Sequence, residues 1–495
     1  MGDASLVELS IPQDVLQPLF SASNSSSLEE TLENLIEASR TDVGRSGLAS
    51  KNILPIVLQL SQNLPYPSGR HLLLSSLKLL RNLCAGEVAN QDAFVEQNGV
   101  GVVSNILSSA GLLSDPDYGT IRMGLQVLAN VSLAGEEHQR AIWHKFFPDE
   151  FVALARVRSQ ETSDPLCMVI YACCDGCPGL DADLCGDFGL PIVEEIVRTA
   201  CVAGFREDWL KLILSRICLE EPHFPPLFSK LCLFGASSNG EDIEFRNDLF
   251  SSEHAFLLKI ISEILNERLN DITVPNEFTS CVFGIFKRSV GVTNSVLQCK
   301  SGLPTGSTAI DVLGYSLIIL RDICAGKRSL GSSEEDDSMD AVDMLLSSGL
   351  VEMLLCLLGE LEPPTTIRKG LKQGENQDSS SSYSLKPCPY RGFRRDIVAV
   401  IGNCAFGRKQ VQDEIRQKNG ILLLLQQCVT DEDNPFLREW GIWTVRNLLE
   451  GSTENQHAVA ELELQGSVEV PELTGLGLRV EVDPKTRRAK LVNIS

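Results

Sequence analysis

Residues 395–429 read RDIVAVIGNCAFGRKQVQDEIRQKNGILLLLQQCV, and residues 438–463 read REWGIWTVRNLLEGSTENQHAVAELE. Superposing Asn403 on Asn447 brings Gln412 onto Gln456, nine residues later in both stretches. An apolar run at helical spacing precedes each asparagine: Ile397, Val400 and Ile401 in the first, Ile442, Trp443 and Val445 in the second. Gly407 or Gly451 follows, then a polar bend and a second amphipathic stretch. A helical unit of this size cannot bury its apolar faces alone and has to stack on neighbours.

The pattern recurs far upstream. LKLLRNLCAGEVANQDAFVEQNGVGVVSNIL centres on Asn82, with Gln91 nine residues on. LQVLANVSLAGEEHQRAIW centres on Asn130, with Gln139 at the same offset. LIILRDICAG places Asp322 where the asparagine belongs. Asn82 and Asn130 are 48 residues apart, Asn403 and Asn447 are 44 apart. Armadillo and HEAT units repeat at roughly 40–47 residues. The expected fold is therefore all-α, an armadillo/HEAT-like α-solenoid. A small C-terminal β-hairpin is expected after it, because Leu478, Val480 and Val482 alternate with polar residues and Asp483-Pro484 supplies a turn.

Two of these stretches also carry a family resemblance. DEDNPFLREWGIWTVRNLLEGSTENQ at 431–456 and IGNCAFGRKQVQDEIRQKNGI at 401–421 resemble the signature of the ataxin-10 family. The N-terminal three-quarters resembles armadillo repeats only generically. The resemblance implies a non-catalytic armadillo protein, mainly cytoplasmic, that acts through protein partners and can self-associate. It also implies a role in cytokinesis and in cell growth and survival.

Composition narrows the class. With 43 Lys and Arg against 66 Asp and Glu, the net charge is −23. Such a chain is a poor general ligand for nucleic acid or anionic membrane. Apolar residues make up 43%, enough for a continuous core. No run of apolar residues is long enough to span a bilayer. The sixteen cysteines are scattered, with Cys84, Cys218, Cys324, Cys356 and Cys404 inside apolar helical runs and no secretory signal ahead of them. That pattern predicts reduced, buried thiols in the cytosol, with a nuclear presence left open. Leu6 occupies the place where N-myristoylation needs Ser or Thr.

Domain boundaries follow from composition. Residues 1–68 read as an irregular helical segment and 69–362 as armadillo-like repeats interrupted by an acidic loop at 331–343. Residues 363–392, rich in Pro, Gly, Ser and Lys, read as a disordered linker. Residues 393–465 form the ataxin-10-type C-terminal region, and 466–495 a tail with the hairpin.

The candidate protein-binding residues are Asn82, Asn130, Asn403, Trp440, Trp443, Arg446 and Asn447. An asparagine amide offers one donor group and one acceptor, so a ladder of them can hold the backbone of an extended peptide. The same amide can instead tie its own helix to the neighbouring unit. Trp443 lies four residues before Asn447, as in the groove of armadillo transport adaptors that hold basic peptides. Lys78, Gln126 and Ala399 stand at the matching positions of the other copies, which weakens that alternative. Trp440 and Trp443, three apart, share one side of a helix, where they serve either as core or as an anchor for a partner.

Ser332 and Ser333 precede Glu335 and Asp336 by three residues, as in sites of acidic-directed kinases, although a solvated loop has the same composition. Cys174 and Cys177 have zinc-like spacing but no second paired ligand set. No phosphate loop, nucleophile elbow or zinc-protease motif is present, and the six histidines are scattered. No catalytic residue, metal or cofactor is expected.

Overall fold

The computed structural model describes residues 25–111, 115–232, 250–268, 271–293, 299–326, 340–374, 385–462, 478–482 and 489–493. Ser332, Ser333 and the expected turn at Asp483-Pro484 lie outside these residues. The chain divides into two compact units, Met1–Phe234 and Gly235–Ser495.

In the first unit the helices come in threes. Ser25–Ala38, Asp42–Ala49 and Ile53–Asn63 are followed by Arg70–Leu83, Val88–Glu96 and Gly99–Gly111. Tyr118–Ser132, Glu136–Phe146 and Asp149–Ala155 come next, then Gln160–Gly176, Pro178–Cys185 and Leu190–Ala203. Trp209–Ser215 runs on into one π-helical turn, Arg216–Glu220, ahead of Phe224–Lys230. The leading helices of successive triplets pack side by side, from Ser25–Ala38 through Arg70–Leu83 and Tyr118–Ser132 to Gln160–Gly176. The sequence before residue 69 reads as irregular, yet Ser25–Asn63 already forms a triplet.

The second unit begins with Ser252–Arg268 and Asn276–Thr293, both packed on Thr308–Ala325. Ala341–Ser347 and Leu350–Glu360 follow. Thr308–Ala325 then packs on Phe393–Ala405, and that helix on Leu437–Leu449. Lys409–Gln417, Gly420–Leu425 and Thr453–Ala460 complete the two C-terminal sets. Beyond them Leu478–Val482 pairs antiparallel with Ala489–Asn493, Val480 facing Leu491. The described chain is otherwise helical.

Local chemistry sets the helix ends. Asp117 caps Tyr118–Ser132 by accepting from the Thr120 N–H at 3.2 Å, and Ser452 caps Thr453–Ala460. Arg70 binds the same Asp117 carboxylate at 2.5 and 2.6 Å and holds its pKa well below the usual range. Asn98 and Asn419 sit in the left-handed region, φ 56° and 57°, between the second and third helices of their sets. Asparagine tolerates that backbone better than most residues. The glycine that follows each is needed for closeness: a Cβ at Gly99 would overlap the Phe94 ring, and one at Gly420 would press on Ile415. Aliphatic side chains fill the space between helices, Leu77, Leu80, Ile121, Val127, Ile397 and Val400 among them. Each such burial contributes about 1.5–3 kcal/mol relative to exposure.

Two expectations are corrected here. Residues 363–392 are not a structureless linker throughout, because Thr365–Gly374 is helical and 385–392 is tied to folded neighbours. Lys386 pairs with the backbone of Glu360 and Glu362, and Pro389 accepts from the Cys299 N–H at 3.0 Å. Tyr390 is fully buried and donates to Asp396 at 2.9 Å. One aromatic residue and a few main-chain bonds anchor a segment whose average composition is polar. Residues 375–384 lie outside the described residues. Cys356, expected to be buried, is exposed. On Leu350–Glu360 the buried positions are Leu350, Val351, Leu354, Leu355 and Leu358, and Cys356 falls on the other side.

Candidate functional site

Every repeated asparagine reaches back to the leading helix of the set before it. The Asn130 amide donates to the Arg81 carbonyl at 2.8 Å, Asn403 to Arg321 at 3.1 Å, and Asn447 to Gly402 at 3.0 Å. In each case the acceptor is the residue just before that helix's own Asn, or before Asp322. Asn82 donates to Ser39 Oγ at 3.1 Å and to the Ile36 carbonyl at 3.4 Å.

The repeated glutamines have a matching task. Each donates to the carbonyl seven residues earlier, at the end of its own first helix: Gln91 to Cys84, Gln139 to Ser132, Gln412 to Ala405 and Gln456 to Leu449. Those carbonyls have no partner within the helix. Gln91 also donates forward to the Asn130 carbonyl at 2.8 Å, and Gln412 to the Asn447 carbonyl at 2.8 Å. Asparagine and glutamine thus close a two-way clasp between adjacent sets. Sequence spacing revealed the pair but not what the glutamine holds; its fixed distance from a helix end was the available signal.

The clasp employs amide hydrogens that a groove for an extended peptide would need. The surface beside Asn82 is also cationic. Arg40, Arg45, Lys78 and Arg81 line a cavity of about 610 Å3 there, together with Glu33 and Glu37. Arg81 binds only the neutral groups of Asn82, Gln126 and Met123. Burial, and then the neighbouring Arg122, pull its pKa down. Cations outnumber acids four to two in that lining.

The tryptophans stand elsewhere. Trp443 is 47% exposed, and the Arg446 guanidinium lies 5.0 Å from its ring centroid, within cation–π reach. Trp440 is half-buried, which rules out a fully buried core role for it. Phe436, at the N-cap of the same helix, is 67% exposed and has φ 64°, a costly backbone for a bulky side chain. Ile442 is exposed as well. The opposite side of the helix seats Gly441, Thr444 and Leu448. A Cβ at Gly402 would overlap the Thr444 hydroxyl, which itself donates to Val398 at 3.0 Å, so the two helices touch there.

The thiols behave as core groups. Cys173, Cys174 and Cys177 are buried against Gln139 and Leu180. Burial pushes the Cys173 thiol up to about 12. Among the described residues no group of three or more His, Cys, Asp or Glu is placed to hold a metal. Nor is any single helix among them long and apolar enough to cross a membrane.

Comparison with known proteins bears on this same C-terminal region. Residues 393–492 match the family model described as the spinocerebellar ataxia type 10 protein domain. Across most of the chain the similarity is to ataxin-10 of Xenopus tropicalis, 23% identical over 82% of this chain and 77% of that one. These similarities support the ataxin-10 family. Human ataxin-10 is 22% identical over 84% of this chain and 81% of its own. The Dictyostelium discoideum ataxin-10 homolog is 37% identical over 92 residues, 19% of this chain and 15% of that one.

Proposed function

We propose that the chain is a non-catalytic protein-interaction scaffold or regulator of the ataxin-10 type, built as an armadillo-like stack. Its working surface is the outer side of Leu437–Leu449, through which it self-associates or docks a protein partner. The observation that carries this reading is the row of Phe436, Trp440 and Trp443, exposed or half-buried on a helix whose other side is packed. Rigid aromatic and arginine side chains are the residues most enriched at binding hot spots, and Trp443 stacks with Arg446 here. A family-level role in cytokinesis, growth and survival, and a cytoplasmic place of work, are part of the same proposal. A groove for extended basic peptides has less support, since the asparagine amides are engaged and Arg81 and Lys78 face it.

The test is Trp443→Ala in the full chain, followed by melting temperature and by mass from light scattering. An unchanged melting temperature with loss of assembly or of partner capture supports the proposal. A monomeric parent whose partner binding ignores the substitution removes it.

A further inference from the structure

A second feature of the C-terminal unit has no part in the aromatic surface. A cavity of about 500 Å3 opens where 299–301, 362–368, 387–394 and 431–434 converge. Arg394 lines it and is only 2% exposed. Its guanidinium binds neutral oxygens, the Gln427 side chain at 3.1 Å and the Glu362 carbonyl. Its Nε has no acceptor, and neither does the buried Nε of Arg368. Arg391 and Lys300 stand exposed at the same cavity, and neither has a carboxylate partner among the described residues.

The acids present do not balance this set. Glu362 is taken by Arg368. Asp431 accepts from Thr365 at 3.0 Å, from Asn434 at 3.0 Å and from the Asp433 N–H at 3.0 Å, and its charge acts on Arg394 without a direct bond. Asp433 reaches only Arg368, at 3.9 Å. The neighbouring Cys388 thiol is pushed up by burial and stays neutral despite Arg394. A buried guanidinium without a carboxylate is costly, and an orphaned donor inside a protein calls for an acceptor that fills the space.

We infer that this cavity is an anion site that takes a phosphate group, with Arg394 at its buried wall and Arg391 and Lys300 at its exposed edge. The four cations of the lining outnumber its three acids, and guanidinium forks match the geometry of phosphate oxygens. The volume exceeds that of an ion alone, so the group can arrive on a phosphorylated side chain or as the free ion.

The test uses the full chain and calorimetric titration with O-phosphoserine, inorganic phosphate and glutamate. Arg394 holds the fold together, so the variant is the exposed pair Lys300→Gln with Arg391→Gln. The expected result is saturable binding of O-phosphoserine, weakened roughly tenfold in the variant at unchanged melting temperature. Inorganic phosphate binding as tightly as O-phosphoserine would make the free ion the ligand. Tighter O-phosphoserine would make it a phosphorylated side chain. Glutamate binding as well as either phosphate compound, no binding at all, or a variant that binds like the parent overturns the assignment. None of these outcomes touches the Trp443 proposal.

Discussion

The helices that carry Asn130 and Asn447 hold equivalent places in their sets but lead opposite lives. Tyr118–Ser132 lies between Arg70–Leu83 and Gln160–Gly176, and Ile121, Met123, Leu125, Val127, Leu128 and Val131 are all buried. Leu437–Leu449 has the Phe393–Ala405 helix on one side, and Leu437 and Leu448 are its only buried large apolar residues. The tryptophans of the two sets differ in the same way. Trp143, on the second helix of the Asn130 set, is 1% exposed, stacks on Phe147 and donates to Asp183 at 3.2 Å. Trp443 has 47% of its surface free. An apolar residue in a repeat is core or contact surface according to whether another set follows it.

The sharpest way to break this comparison is to remove both tryptophans separately. Trp143→Ala should cost about 3–5 kcal/mol in denaturant unfolding, as large buried residues do. Trp443→Ala should cost less than about 1 kcal/mol, in line with surface substitutions. Equal losses would mean that Trp443 is core after all.

A smaller effect is expected at the clasp. Gln412→Ala removes donors to the Asn447 and Glu450 carbonyls, and Asn447→Ala removes the donor to Gly402. Each should destabilise by about 1–3 kcal/mol. Because both bonds brace one joint, the double variant should lose less than the sum of the two. Strict additivity in the double-mutant cycle would show two independent bonds instead of a clasp.

The smallest effect belongs to the set in which aspartate replaces asparagine. Asp322 is 5% exposed, and its Oδ2 has no partner. Burial raises its pKa above the ordinary 3.8, Arg321 opposes the rise, and Asp396 adds to it. A carboxyl with a raised folded pKa stabilises while protonated, and that contribution is lost as pH climbs through the folded value. Asp322→Asn should therefore stabilise at neutral pH by on the order of 1 kcal/mol or less. The gain should vanish in melts run below the ordinary carboxylate pKa. A gain independent of pH would point to packing and away from charge.

What could be read from the residues follows the same division. Apolar spacing and the Asn-to-Gln offset located four sets, because both recur at fixed distance from a helix end. The set at Ser25–Asn63 escaped, since it has no such asparagine and only periodicity marks it. Trp440 and Trp443 could be placed on one side of a helix, but which side faces solvent depends on a neighbour that spacing cannot show. Cys356 misled for that reason too. The cavity at Arg394 was beyond reach, as its wall gathers residues from 299 to 434 with no local pattern. Asp431 and Asn434 stood inside the quoted family stretch without any hint that they face one.

The clasp has a consequence for how such a chain lengthens over evolutionary time. Both of its bonds end on main-chain carbonyls, at the residue before the first set's asparagine and on the second set's asparagine. The bond itself asks for no particular side chain at the acceptor, and Arg81, Arg321 and Gly402 fill the same role, although the close Thr444 hydroxyl leaves no room for a Cβ at Gly402. A duplicated set inserted at such a joint brings its own donors and finds acceptors already in place. The joint works as a universal coupling, which lets side chains on either side diverge while the order of parts is kept.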